Sequence, residues 1–243
     1  MNSTFETLYR KIFAANGLEN YISDRIGTAL ERLTDKMLEV NAHMNLTAIT
    51  DIEEIIAKHY ADSLLVADRL PQHAKVVDVG CGAGFPSLPL AIARPDLAVT
   101  ALDSTGKRIA YVADCAAMLG LDNLTAVTAR AEDAAAVGKP DREAYDVVVS
   151  RAVAALPVLS ELCLPFARVG GMVVAMKAQR ATEELSAAGR GIAKLGGRVL
   201  RVDARSLTLR EAEEERNLIF VEKIGKTPII YPRNFAQIKK KPL

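Results

Sequence analysis

The sequence predicts an α/β fold: a seven-stranded, mostly parallel sheet with an antiparallel last strand, preceded by an N-terminal helical extension. Three observations predict it. An apolar run, Lys75 to Val79, leads straight into a glycine-rich turn, Gly80-Cys81-Gly82-Ala83-Gly84. After Pro71, short β-branched runs alternate with helical patterns, which is the signature of parallel βαβ units. Before Pro71, apolar residues recur at intervals of three and four, the helical period. The chain is therefore divided into an extension, residues 1–72, packed on a sheet domain, residues 73–243.

In the extension, Ile22, Ile26, Leu30, Leu33, Met37 and Val40 line one face of a helix for which Ser23 is the cap. Asn41 to Thr50 reads as a polar loop. Asp51 followed by Glu54 resembles a capping box opening a second helix, whose apolar face includes Ile52, Ile55 and Ile56 and which closes at Pro71. The expected strands are Lys75–Val79, Ala98–Leu102, Leu124–Thr128, Asp146–Ser150, Met172–Met176, Gly197–Val202 or somewhat longer, and Leu218–Lys223. Helices are expected at Pro86–Ala93, Gly106–Leu119, Pro157–Ala167 and Thr182–Leu195, while the alanine-rich stretch after Arg130 has no clear period. Only the acidic cluster Glu211 to Glu215 separates the last two strands. That is too short for a covered crossover, so these strands form an antiparallel hairpin. Five parallel strands ending in such a hairpin describe a Rossmann-like methyltransferase sheet better than a nicotinamide domain.

Composition narrows the classes. With 243 residues, half of them apolar and a quarter charged, the chain can bury a sizeable core and is not of disordered type. Cys81, Cys115 and Cys163 lie far apart and form no Cys-x-x-Cys pair, so neither a disulfide framework nor a metal site is expected, and a reducing compartment is. No run approaches the ~18 apolar residues that spanning a bilayer requires. The expected location is cytoplasmic, with no membrane partner. Net charge is only +1, but from Glu222 to Leu243 six basic residues (Lys223, Lys226, Arg233, Lys239, Lys240 and Lys241) face a single acid. Such a tail can neutralise phosphates, or can be a solvated terminus.

In open α/β sheets, ligands bind beyond the carboxyl ends of the strands. After the first strand, the spacing is G-x-G-x-G, and Phe85 occupies the last position of the dinucleotide fingerprint G-x-G-x-x-G. This favours a nucleoside lacking a pyrophosphate, of which S-adenosylmethionine (SAM) is the commonest on such a sheet; a tight turn packing helix on strand also needs small residues. After the second strand comes Asp103, nineteen residues beyond Gly84, placed to accept from both ribose hydroxyls or to cap the following helix. Arg130, Ala131 and Glu132 follow the third strand, where an acid can approach adenine. Arg151 and Lys177 follow the fourth and fifth. Arg151 can grip guanine O6 or a phosphate, or can pair with Glu132. The Asn/Asp-Pro-Pro-aromatic turn used on exocyclic amines is absent after the fourth strand, and Cys163 lies in an apolar helical run rather than where a nucleophile is needed. An acceptor that is already nucleophilic remains, and guanine N7 is one. His43, His59 and His73 all precede the glycine loop.

These residues resemble one family, the bacterial 16S rRNA (guanine-N7) methyltransferases called RsmG or GidB. The resemblance rests on Asn45-Leu46-Thr47-Ala48-Ile49, His59-Tyr60-Ala61-Asp62-Ser63-Leu64, the Asp78 to Pro86 loop, Leu102-Asp103-Ser104, Arg130-Ala131-Glu132-Asp133, Ser150-Arg151-Ala152-Val153-Ala154 and Tyr231-Pro232-Arg233. It implies a class I SAM-dependent fold and methyl transfer to N7 of one guanine in a decoding-region loop of 16S rRNA, within the small ribosomal subunit or its precursor. The expected cofactor positions are Gly80, Gly82, Gly84, Phe85, Asp103, Ala131, Glu132 and Arg151, with Arg151, Arg130 and Lys177 at the reaction. No metal is expected, and a monomer is. Three positions depart from the family pattern: Val40 for a frequent tryptophan, Cys81 for serine and Ser87 for glycine. The other classes weighed are a SAM-dependent enzyme for another RNA position or a small molecule, and a binding-only ribosome-assembly module.

Overall fold

The structure, a computed structural model, describes residues 1–178 and 181–243. The seven strands are β1 (Lys75–Val79), β2 (Ala98–Asp103), β3 (Leu124–Thr128), β4 (Tyr145–Arg151), β5 (Ala167–Lys177), β6 (Gly197–Leu209) and β7 (Ala212–Lys223). They form one sheet in the order β3-β2-β1-β4-β5-β7-β6. β1 to β5 run parallel, and β7 is antiparallel to both of its neighbours. The chain reverses direction across the sheet between β1 and β4, which places the switch point of the topology beside the glycine turn.

Both faces of the sheet are covered, and the period of two along each strand sorts side chains between them. Val76, Val147, Val149, Val174, Leu218 and Phe220 enter one core, while Val77, Val148, Val173, Ala175, Ile219 and Val221 enter the other. The first core is completed by α1 (Ser3–Ala15), α2 (Asp24–Met44), a π-helical turn (Ile55–Ala61), α4 (Asp62–Leu64), α5 (Ser87–Ala93) and α6 (Gly106–Leu119), whereas α3 (Ile52–Glu54) buries none of its residues and Ile52, expected on the apolar face, is exposed. The second is completed by α7 (Ala131–Ala134), α8 (Leu156–Cys163), α9 (Ala181–Lys194) and α10 (Phe235–Lys240). No helix among the described residues is long and apolar enough to cross a membrane.

Ser23 and Asp51 cap their helices as expected, each side chain accepting from the backbone N–H three residues on. Three boundaries differ from the sequence reading. α2 runs on to Met44, because Asn45 takes the left-handed conformation that ends helices and the Asn41 side chain pairs with both backbone groups of Thr47. α8 stops at Cys163, and β5 starts at Ala167, inside the predicted helix. The β6–β7 hairpin is much longer than predicted, and most of the acidic cluster lies within β7. Leu207 and Leu209 of the hairpin turn inward while Glu213 sits on the exposed side. A half-buried ribbon with charges on its outer face carries too few apolar residues to be read as a strand.

Candidate functional site

β1 delivers Val79 into three glycines with positive φ: Gly80 at 76°, Gly82 at 57° and Gly84 at 90°. Their roles differ. A Cβ at Gly84 would lie 2.4 Å from Leu88 Cδ1, so this glycine lets α5 pack onto the turn. One at Gly80 would lie 2.5 Å from Val153 Cγ2, in the loop after β4. One at Gly82 would meet nothing within 4 Å. Gly82 is thus the member of the trio that bares its backbone to open space. The turn is pinned by the N–H groups of Gly80 and Cys81, both donating to the Leu102 carbonyl, and by fully buried Asp78, whose Oδ2 accepts from the Ser87 N–H at 3.0 Å. Burial raises the Asp78 carboxyl to about 7. Cys81 is buried in the core beneath the turn and its thiol is pushed up by burial, as is that of Cys163.

Beyond the carboxyl ends of β1, β2 and β3 lies a cleft of about 350 Å3, lined by Gly80, Asp103, Ser104, Thr105, Arg108, Arg130, Ala131, Glu132, Ala152, Val153, Leu162 and Phe235, among others. Asp103, in its wall, ties the glycine turn to the start of α6: Oδ2 accepts from the Gly82 N–H at 3.0 Å and Oδ1 from the Thr105 N–H at 2.8 Å. Each oxygen keeps a further lone pair. Ala131 and Glu132 open the short α7, so their N–H groups have no acceptor inside that helix. Arg130 is exposed, 3.9 Å from Glu132.

Of the expected cofactor positions, Gly82, Gly84, Phe85 and Arg151 do not line this cleft. Phe85 is buried, stacked on His59 at 4.5 Å between ring centroids, with the Arg151 guanidinium 5.6 Å from its centroid. Arg151 pairs with Asp62, not Glu132: Nη1 donates to Asp62 Oδ2 at 2.8 Å and to the Lys58 carbonyl at 2.7 Å. The other oxygen of Asp62 accepts from Arg216 Nε at 2.9 Å, so one buried carboxylate holds two arginines. The π-helical turn, a feature often found at functional sites, carries Lys58 and His59 to this cluster. Burial, with the nearby Arg151 charge, lowers His59 to about 3 and keeps it neutral. Lys177 donates to the Ala154 carbonyl and pairs with Glu184 at 2.9 Å, and Glu184 also accepts from the Leu156 N–H. Lys177 therefore braces the loop after β4. Of the three residues expected at the reaction, only Arg130 is in the cleft.

Sequence reasoning missed Asp62, Arg216, Val153 and Phe235. Asp62 had a signal in the His59-to-Leu64 motif and Val153 in the Ser150-to-Ala154 motif; Arg216 and Phe235 had none. The basic tail is also less available than its composition implied. Lys223 is fully buried and Arg233 is bound to Glu161, leaving Lys226, Lys239, Lys240 and Lys241 exposed.

The chain is similar to known proteins over most of its length. The model of the family described as rRNA small subunit methyltransferase G matches residues 27–219. A ribosomal RNA small subunit methyltransferase G from Limosilactobacillus reuteri is 48% identical over 211 residues, covering 85% of this chain and 87% of the relative. The protein of that name from Brevibacillus brevis is 42% identical over 237 residues, 97% and 98% of the two chains. Among solved structures, a SAM dependent methyltransferase from Aquifex aeolicus is similar in fold, with a TM-score of 0.52 at 17% identity over 77% of this chain and 97% of that one. The fold is that of the class I SAM-dependent methyltransferases, and the chain belongs to the rRNA small subunit methyltransferase G family.

Proposed function

We propose that the protein transfers the methyl group of SAM to N7 of one guanine in a decoding-region loop of 16S rRNA, acting on the small subunit or its precursor. The observation that carries the cofactor half is the cleft itself. The glycine turn borders it at Gly80, and Asp103 keeps a free lone pair on each oxygen for ribose hydroxyls. The first-turn N–H groups of Ala131 and Glu132 suit the acceptors of an adenine ring. The cleft volume also fits a ligand of this size. Bound there, the cofactor supplies an electrophilic sulfonium methyl.

The protein's own task is then alignment. Guanine N7 carries a lone pair and no proton, so the reading calls on neither a general base nor a metal. Positioning two reactants is worth up to ~7–11 kcal/mol of a barrier. The buried thiols of Cys81 and Cys163 are poor candidates for the covalent step that carbon methylation would need, which favours an acceptor already nucleophilic. In this reading residues 1–72 form an extension that widens the RNA footprint, Arg130 and the exposed lysines of the tail contact RNA, and Arg151 orders the β4 end of the site. The protein works in the cytoplasm as a monomer. Methyl transfer from labelled SAM to small subunits and to extracted 16S rRNA, with cleavage mapping at N7-methylguanine, tests it. One modified decoding-region guanine is expected, and transfer to neither RNA would end the proposal.

A further inference from the structure

The C-terminal segment is a strap, built with more buried polar contacts than a solvated tail needs. The fully buried ammonium of Lys223 donates to the Leu164 carbonyl at 2.8 Å and to Thr227 Oγ1, with Glu143 at 3.4 Å. Arg142 reaches across to the carbonyls of Thr227 and Tyr231, each at 2.9 Å. Arg233 places its N–H and its guanidinium on the fully buried carboxylate of Glu161, the guanidinium at 2.6 Å. Leaving either partner of such a pair alone in the core is costly, so the pair fixes where the chain crosses α8. Glu161 is adjacent to Leu162, a cleft residue, and Phe235 follows Arg233 by two residues. Ile238, fully buried, then ties down the far side of α10.

The outcome is an aromatic ring held in the cleft wall with 38% of its surface exposed. Strap contacts on both sides of it oppose any retreat into the core. We propose that Phe235 is a cofactor-contacting residue, stacking on the adenine of bound SAM, and that the Glu161–Arg233 pair positions it; this rests on the cofactor reading above. Adenine is favoured over the target base because Phe235 shares its cleft with Asp103, Ala131 and Glu132, the ribose and adenine side of the site.

The chain contains no tryptophan, so Phe235→Trp installs a single reporter. Its emission is expected to be quenched by SAM, S-adenosylhomocysteine and adenosine, and not by methionine. By calorimetry, Phe235→Ala should weaken both SAM and S-adenosylhomocysteine about ten-fold, the scale of one base–aromatic stack. Phe235→Tyr should restore affinity, with the KM for RNA and the melting temperature unchanged throughout. Unaltered SAM affinity in Phe235→Ala, or a reporter quenched by RNA and not by SAM, would overturn the stacking role. A wild-type protein that bound no SAM would overturn the cofactor reading itself, and the stacking role with it.

Discussion

Replacing Asp62 by alanine should destabilise the protein far more than replacing Arg151, one of the two arginines that share its carboxylate. Asp62 is buried, and its two oxygens accept from Arg151 at 2.8 Å and Arg216 at 2.9 Å, whose side chains are themselves about 15% exposed. Asp62→Ala strips both guanidiniums of their shared counter-charge. Arg216 retains Glu214 and Arg151 retains the Lys58 carbonyl, so the penalty falls short of two orphaned ions. It should still reach ~3–5 kcal/mol, the cost of breaking a buried pair from one side. Arg151→Ala leaves Asp62 paired with Arg216, loses hydrogen bonds to a charged group, and should cost ~1.5–3 kcal/mol. Urea unfolding followed by circular dichroism gives both numbers from the midpoints, provided the slopes match. Equal costs, or a loss below ~1 kcal/mol in Asp62→Ala, would refute the two-armed clamp. The same series addresses the reaction: Arg151→Ala is expected to stay folded and lose methyl transfer, and full retained activity would remove Arg151 from any part in it.

Gly82→Ala should cost only ~1–2 kcal/mol for its left-handed backbone yet sharply weaken SAM binding, whereas Gly84→Ala, aimed at Leu88, should lose stability first; melting curves beside calorimetric titrations would show the opposite ranking if the turn is mere packing. Two buried groups pull the pH dependence in opposite directions. His59, lowered to about 3, takes up its proton in the unfolded chain and subtracts stability as pH falls from ~6.5; Asp78, raised to about 7, holds its proton in the folded chain, and that contribution, full below ~4, is lost as pH rises through 7. Asp78→Asn should therefore uncover a fall approaching ~1.4 kcal/mol per unit between pH 6 and 4, and a urea midpoint independent of pH in that variant would contradict the assignment. Glutamine at Lys239, Lys240 and Lys241 should flatten the log–log salt dependence of RNA affinity by up to ~0.7 per lost phosphate contact; an unchanged slope would place the RNA elsewhere.

The sheet, the glycine turn and Asp103 were legible in the sequence because each is written in short spacings: an apolar run, glycines two apart, an acid at the end of the next strand. The alternative that Asp103 caps α6 does not hold: Thr105 is the N-cap residue, and the Asp103 carboxylate accepts instead from the Thr105 and Gly82 N–H groups while lining the cleft. What was not legible depends on long separations. Arg151 meets a carboxylate 89 positions away, and Arg216 meets the same one from 154 positions away. Glu132 was the nearer acid in sequence and the wrong partner, because the N-terminal helices, not α7, pack against the tip of β4. Nothing in a run of residues announces such a pairing.

The tail shows the same limit with a functional consequence. Read as composition, six basic residues in 22 positions are either a phosphate-binding stretch or a solvated terminus. In the fold, two of the six are consumed by Glu143 and Glu161, and the stretch becomes a scaffold before it is a charge cluster. Buried ion pairs are weak contributors to net stability but strong determinants of geometry, since each partner is costly anywhere else. A segment needed only for its charge would have no use for a lysine and an arginine bound to acids in the interior. Spending them there makes sense if the exact course of the chain matters, and the residue whose position that course determines is Phe235, in the wall of the cleft.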